Sequence, residues 1–260
     1  VIAAVVTIAA SVIYFDSLGD IALTREISLD TSVSHDIVIR GREVDIDASS
    51  NQELLELVDV AVNEIASSII IGKTLAYGSP TLLMQQDEMG ETEIDDSLRA
   101  VLINAPELRG NSVLTRGTWP SSNVTVGEFE PGQMLIEVAL DEVVAAEFGY
   151  LLDDIVVVEP FWDDLNDSIA VKISGLFTRN EANPRFWASI EDQFGLDDED
   201  LNYLPFVPDP DVFASQVGPY FPGMTVRYSW WYHVDSSRVR ASGASDLLLG
   251  FDELKAQLQP

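Results

Sequence analysis

Cysteine is absent from the 260-residue chain, which excludes disulfides, thiolate nucleophiles and zinc-thiolate sites together. The compartment stays open, because many exported proteins also lack cysteine. Basic residues are scarce: 14 Lys and Arg stand against 44 Asp and Glu, a formal net charge of -30, and Lys73, Lys172 and Lys255 are the only lysines. That excess repels nucleic acid and anionic lipid, and no basic stripe is present to hold a phosphate backbone. Nucleic acid is therefore not an expected partner. Histidine is limited to His35 and His233, with no HExxH pair and no serine in a G-x-S-x-G elbow, so both histidines are read as structural. Neither G-x-x-x-x-G-K nor G-x-G-x-x-G occurs, which removes the usual phosphate cradles, and no cofactor is expected.

What is present is an apolar chain with an acidic surface. At 47% apolar residues the sequence can bury a sizeable core in one large domain or two smaller ones. The acidity reads as a solvated surface, outside the cell or in a high-salt organism. Val1 to Phe15 is uncharged and apolar all round, unlike a solvent-facing amphipathic helix. It is shorter than the roughly 20 residues a full span needs and has no basic leading region. The expectation is the last part of a transmembrane helix, with Tyr14 and Phe15 at the interface and a stalk following.

Asp36 to Asp47 alternates as a strand around Gly41. Ser50 and Glu53 stand in capping-box spacing, and Leu54, Val58, Val62, Ile65 and Ile69 predict an amphipathic helix ended by Gly72. Lys73 to Tyr77 and Thr81 to Met84 predict a further strand broken by the Gly78-Ser79-Pro80 turn. Gln85 to Ser97 is acidic and glycine-containing, the best internal boundary. Ala100 to Asn104 predicts a short strand, and Leu108 to Ser122 loop and turn. Met134 to Leu140 is a strand, and Asp141 caps an alanine-rich helical segment closed by Gly149. Ile155 to Val158 and the alternation through Val171, Ile173 and Gly175 add strands, followed by a proline-and-aromatic turn ending at Trp187. Phe186 to Tyr220 reads as an elaborated acidic loop with one helical turn near Asp211 to Val217. Met224 to Val234 has strand composition, and Leu247, Phe251, Leu254 and Leu258 predict a closing helix.

Candidate chemistry is sparse. Asp45, Asp47, Ser49, Asn51, Glu53 and Glu56 match calcium-loop spacing, but Ser50 stands where the sharp turn needs glycine and the segment leaves a strand. Capping of the following helix is the preferred reading. Asp163, Asp164 and Asp167, and Asp197 to Asp200 with Asp209 and Asp211, offer weak hard-cation sites or a glycosidase pair whose separation the sequence does not give. Solvated loops are the preferred reading. Asn123 and Asn166 are formal glycosylation acceptors. Among the tryptophans, Trp230 and Trp231 are adjacent on a strand and face opposite sides, one to the core and one to a partner or solvent. Trp119, Trp187, Trp230 and Trp231 are the candidate partner-contact residues, against a default of core packing.

The order of these segments resembles the extracytoplasmic domain of a MacB/FtsX-type ABC transporter permease. Val1 to Phe15 resembles the end of the first transmembrane helix of that family. LTRGTWP, Leu114 to Pro120, resembles its glycine-x-tryptophan-proline segment, and IEVALDEVVAAEFGYLLDDIVVV its strand, alanine-rich helix and following strand. GLFTRNEANPRFW, Gly175 to Trp187, resembles its glycine-aromatic, asparagine-proline, aromatic-tryptophan ending. Leu152-Asp153-Asp154 departs from the usual glycine-aspartate, and 188–220 is longer than in the shorter members.

The resemblance implies an α+β, two-lobed fold, with a porter-like strand-helix-strand lobe split by an inserted β-rich sabre-like lobe on membrane-derived helical stalks. Residues 1–27 would be the end of the transmembrane helix and stalk, and 28–96 the first part of the porter-like lobe. Residues 97–222 would be the sabre-like insert, and 223–260 the second part of the porter-like lobe and return helix. It implies a non-catalytic domain at the cell membrane, facing away from the cytoplasm. Partners would be a cytoplasmic ATP-binding subunit and a second permease copy or homologous half, with lipid, lipoprotein, peptide or drug cargo or a mechanically driven partner outside. The competing expectation is an extracytoplasmic sensor or ligand-binding domain of another membrane protein.

Overall fold

The computed structural model describes residues 36–45, 48–85, 98–127, 133–162, 168–194, 203–221 and 223–258. In chain order these form β1 (Ile37–Asp45), α1 (Ala48–Ala66), β2 (Ile70–Gly78), β3 (Leu82–Met84), β4 (Arg99–Asn104), β5 (Ser112–Gly117) and β6 (Thr125–Val126). Then follow β7 (Met134–Asp141), α2 (Glu142–Phe148), β8 (Ile155–Pro160), β9 (Ile169–Arg179), α3 (Pro184–Phe194) and β10 (Tyr203–Pro208). A helical segment through Pro210–Val212, Phe213–Val217 and Gly218–Tyr220 leads to β11 (Thr225–Val234) and α4 (Ala244–Leu258). The fold is α+β. The described residues form two compact units: a larger one from the described parts of Val38–Gln52 and Thr74–Trp231, and a smaller one from the described parts of Val1–Ile37, Glu53–Lys73 and Tyr232–Pro260.

The larger unit is organised by a closed barrel, in the order β4-β10-β7-β9-β8-β3, with β3 returning to pair β4. The β4/β10 and β7/β9 pairs are parallel, and β10/β7, β8/β9, β3/β8 and β3/β4 are antiparallel. Strands buried on both faces should read as near-continuous apolar runs. MLIEVALD and IAVKISGLF do, and Ile136, Val138, Leu140, Ile169, Val171 and Ile173 are buried. Leu82, Leu102, Val158, Leu204 and Phe206 are buried with them. At Val138/Ala139 the β7/β9 register shifts by one residue, so Ala139 lies opposite Gly175. β5 pairs the C-terminal half of β9 with its own bulge between Leu114 and Arg116.

The α2 caps match the sequence reading. The Asp141 side chain accepts from the Val143 N–H at 2.9 Å, and Gly149 closes the helix at φ 77, the left-handed geometry that favours glycine. In β11 the two faces separate as expected, with Trp230 1% exposed and Trp231 half-buried.

Other expectations are corrected. α1 begins at Ala48, so Ser50 lies inside its first turn instead of capping it. It ends at Ala66, and Gly72 belongs to β2. The β-branched run Ile69-Ile70-Ile71 favours the strand, although Ile69 also falls on the helical period. Residues 112–117, read as loop, are β5. Asn183-Pro184, read as a turn, opens α3: the Asn183 side-chain oxygen accepts from the Phe186 N–H at 3.3 Å, with Pro184 in the first turn. The expected loop from 186 to 220 holds most of α3, β10 and the Pro210–Tyr220 helical segment.

In the smaller unit α1 supplies Val58, Val62 and Ala66 to the interior. The Tyr232 hydroxyl donates to Asp59 at 2.6 Å, and Lys73 Nζ reaches the other oxygen of that carboxylate at 2.6 Å. One carboxylate thus ties α1 to β11 and β2. A Cβ on Gly250 would meet Ile65 Cγ2 at 2.7 Å, so α4 passes against α1 where a side chain has no room.

The expected membrane segment Val1 to Phe15, the 1–27 stalk, all of the Gln85 to Ser97 boundary except Gln85, His35, Asp47, Asp163, Asp164, Asn166, Asp167 and Asp197 to Asp200 lie outside the described residues.

Candidate interaction site

The segments Leu114 to Pro120 and Gly175 to Trp187 meet in the larger unit. Gly117 and Gly175 are paired across β5 and β9. A Cβ on Gly117 would meet the Ser174 carbonyl at 2.2 Å, and one on Gly175 the Thr118 carbonyl at 2.3 Å. Only glycine allows the two backbones this approach, and Gly117 also sits at φ 71. The Thr118 N–H donates to the Ser174 carbonyl at 2.9 Å.

This crossing sets the next residue, Trp119, face to face with Phe177 at 5.7 Å and 26° between ring planes. Phe177 stacks in turn on Trp187 at 6.4 Å and 20°. Phe186 and Phe194 meet Trp187 edge-on at 5.3 and 5.8 Å, the offset geometry that aromatic quadrupoles favour. Cations close both ends: Arg109 lies 5.8 Å from the Trp119 ring and Arg179 5.1 Å from the Trp187 ring. Arg109 also donates to the Pro120 carbonyl at 2.7 Å and pairs Asp209 at 2.9 Å. Trp187 Nε1 donates to the Asn111 carbonyl at 3.0 Å, and Asn183 bonds the Asn111 side chain at 2.7 Å.

Of the four candidate contact residues, Trp119 and Trp187 are therefore brought together through Phe177, while Trp230 and Trp231 stand on β11. Trp187 and Trp230 are 5% and 1% exposed and act by packing; Trp119 and Trp231 are half-buried. Trp230 stacks on Tyr228 at 5.1 Å, and Trp231 Nε1 donates to Ser229 Oγ at 3.0 Å. Sequence reasoning overlooked Phe177 and Asn111. Phe177 was visible as the aromatic of the Gly175 motif, whereas nothing local marks Asn111.

Of the other candidates, Asn51, Asp209 and His233 have structural roles. Asn51 is buried on α1 and accepts from the Tyr228 hydroxyl at 2.6 Å. Asp209 caps the helix it precedes through the Asp211 N–H. His233 Nδ1 is 3.1 Å from Asp36, which also accepts from the Val234 N–H at 3.0 Å. Among the described residues no three His, Asp or Glu side chains cluster as a metal site. Asp141 is buried, and burial raises its pKa against the lowering effect of the Val143 and Val144 N–H groups and Arg179. Its cap accounts for its position. Burial also raises the Tyr77 hydroxyl, opposed by hydrogen bonds to Asn51 and Asn104.

The smaller unit carries an open groove of about 560 Å³ lined by Ile65, Ile69, Arg238, Arg240, Asp246 and Leu247, among others. Arg238 pairs with Asp235 at 3.1 Å. No described helix is long and apolar enough to cross a membrane. No family model matches the chain, and no curated protein gives a significant match.

Proposed function

We propose that the chain is the extracytoplasmic domain of an ABC transporter permease subunit of the MacB/FtsX type. In this reading it has a porter-like lobe split by a sabre-like insert and catalyses no reaction. It works by binding cargo or a partner and by passing on the conformational cycle of a cytoplasmic ATPase. Its cargo would be lipid, lipoprotein, peptide or drug, and it would pair with a second permease copy or homologous half.

The observation that carries the reading is the joint itself. Gly117-Thr118-Trp119-Pro120 and the Gly175 to Trp187 segment, picked out separately by their likeness to one family, interlock through glycine approach and a continuous ring stack. Motifs that form one joint are what a shared architecture would retain. A joint built from packing, without a cluster of reactive groups, suits a domain that transmits force.

The test is purification of the intact membrane protein in mild detergent. The reading expects an ATP-binding subunit to co-purify and about three further hydrophobic spans, each of roughly 20 residues, to follow Pro260 in the full gene. A downstream signalling domain, or recovery without any ATPase, refutes it. The open groove of the smaller unit favours a sensor or ligand-binding domain as the second reading, and the same downstream sequence separates the two.

A further inference from the structure

Asn104, at the end of β4, is completely buried. Its Nδ2 donates to the Tyr77 hydroxyl at 2.6 Å and to the Pro210 carbonyl at 3.3 Å. The carbonyl can only accept, which fixes the amide orientation with nitrogen toward Pro210. Oδ1 is then left with no hydrogen-bond partner among the described residues. A buried amide oxygen without a partner is costly, and native proteins almost always satisfy it.

The same residue lines a cavity of about 10 Å³, walled by Ala105, Pro106, Arg109, Trp119, Pro208 and Pro210, among others. That is the room for one water molecule, which needs polar partners on at least two sides. A wall rich in proline offers backbone carbonyls and few N–H groups, so side chains must answer the Asn104 oxygen or a water must. No side chain in the wall does so: Arg109 is committed to the Pro120 carbonyl, to Asp209 and to the Trp119 face.

We propose that this cavity is a binding site for a single ordered water, held by Asn104 Oδ1, that completes the joint beneath Trp119. The water donates one proton to Oδ1 and the other to the carbonyl-rich wall. It extends the buried polar chain that runs from Asn51 and Tyr228 through Tyr77 to Asn104. This inference goes beyond the permease reading and stands independently of it.

The test is a crystal structure of the wild-type protein at a resolution that shows ordered solvent, with water magnetic relaxation dispersion on the same protein and on Ala105→Val. The expected result is one density peak within hydrogen-bond distance of Asn104 Oδ1. A slowly exchanging water should be present in the wild type and absent from the variant, whose added methyls occupy the cavity. A dry cavity, an Asn104 oxygen bonded to a protein group, or a slow water that survives in folded Ala105→Val overturns the proposal. If that variant does not fold, the wild-type density decides.

Discussion

Replacing Trp187 by alanine tests the joint most directly. The ring is 5% exposed and meets Phe177, Phe186, Phe194 and Arg179. Truncating a large buried aromatic costs about 3–5 kcal/mol, the upper part of the range applying where neighbours cannot collapse into the space. Here they cannot readily do so, because Phe177 belongs to a barrel strand and Phe186 and Phe194 to the same helix as Trp187. Trp187→Phe separates packing from polarity. It keeps a ring on Phe177 and removes the Nε1 donor, while the Asn111 carbonyl still accepts from the Asn180 N–H at 3.0 Å. Loss of that bond costs about 0.5–1.5 kcal/mol and the smaller ring adds a partial cavity, so the phenylalanine variant should lose less than alanine does. Urea unfolding followed by far-ultraviolet circular dichroism reads both. An unchanged midpoint for Trp187→Ala would refute the joint as a packed element and leave Trp187 as a contact residue.

Gly175→Ala places a methyl 2.3 Å from the Thr118 carbonyl and should cost about 1–3 kcal/mol by overpacking, seen as a lowered melting temperature. Asp141 has a raised folded-state pKa from burial, so its protonated form favours folding. Its contribution is fully present below the unfolded carboxylate value of about 3.9 and is lost as pH rises through the folded value. Asp141→Asn keeps a good cap and should flatten stability against pH in that window relative to wild type; identical pH profiles would count against burial as the cause. Tyr232→Phe removes a hydroxyl bonded to the Asp59 carboxylate at 2.6 Å and should cost about 1.5–3 kcal/mol. A double-mutant cycle with Asp59→Asn checks that the loss belongs to that pair. With a net charge of -30, self-repulsion opposes the compact state, so the melting temperature should climb with sodium chloride as the Debye length falls from about 10 Å at 0.1 M to about 3 Å at 1 M. A melting temperature indifferent to salt would remove self-repulsion as a limit on stability.

Local signals carried the elements whose determinants are local. Asp141 and Gly149 name both ends of α2, and Val58 and Val62 mark the buried stripe of α1. The joint was half legible: its two motifs stood out, but their meeting required the Gly117/Gly175 pairing across residues distant in sequence. Asn183-Pro184 shows a different failure. A side-chain cap followed by a first-turn proline starts a helix as well as a turn, and the apolar spacing of Phe186, Ile190 and Phe194 was the deciding evidence. The acidic run that follows gives the whole stretch the composition of a loop, which hides a helix whose signal is the spacing of three apolar residues.

β10, and the pairing of β3, show what no local pattern could supply. YLPFVP carries two prolines, which argue against a central strand because proline cannot donate to a ladder. Yet Leu204 and Phe206 are fully buried, and β10 lies between β4 and β7. The resolution lies in the pairing: β7 meets β10 at Val207 and Pro208, while Tyr203 to Phe206 pair only with β4. Pro205 therefore has a ladder on one side, which a residue without an N–H tolerates when its nitrogen faces the other. β3 completes the argument. Three residues long, it pairs Leu82 with both Pro160 of β8 and Ala100 of β4. Thr81 to Met84 has the local composition of a strand, but that a strand of three residues removes the two edges that would otherwise template aggregation is not written in it. Closure is a property of pairings between distant segments, so it becomes visible only when those segments are placed together.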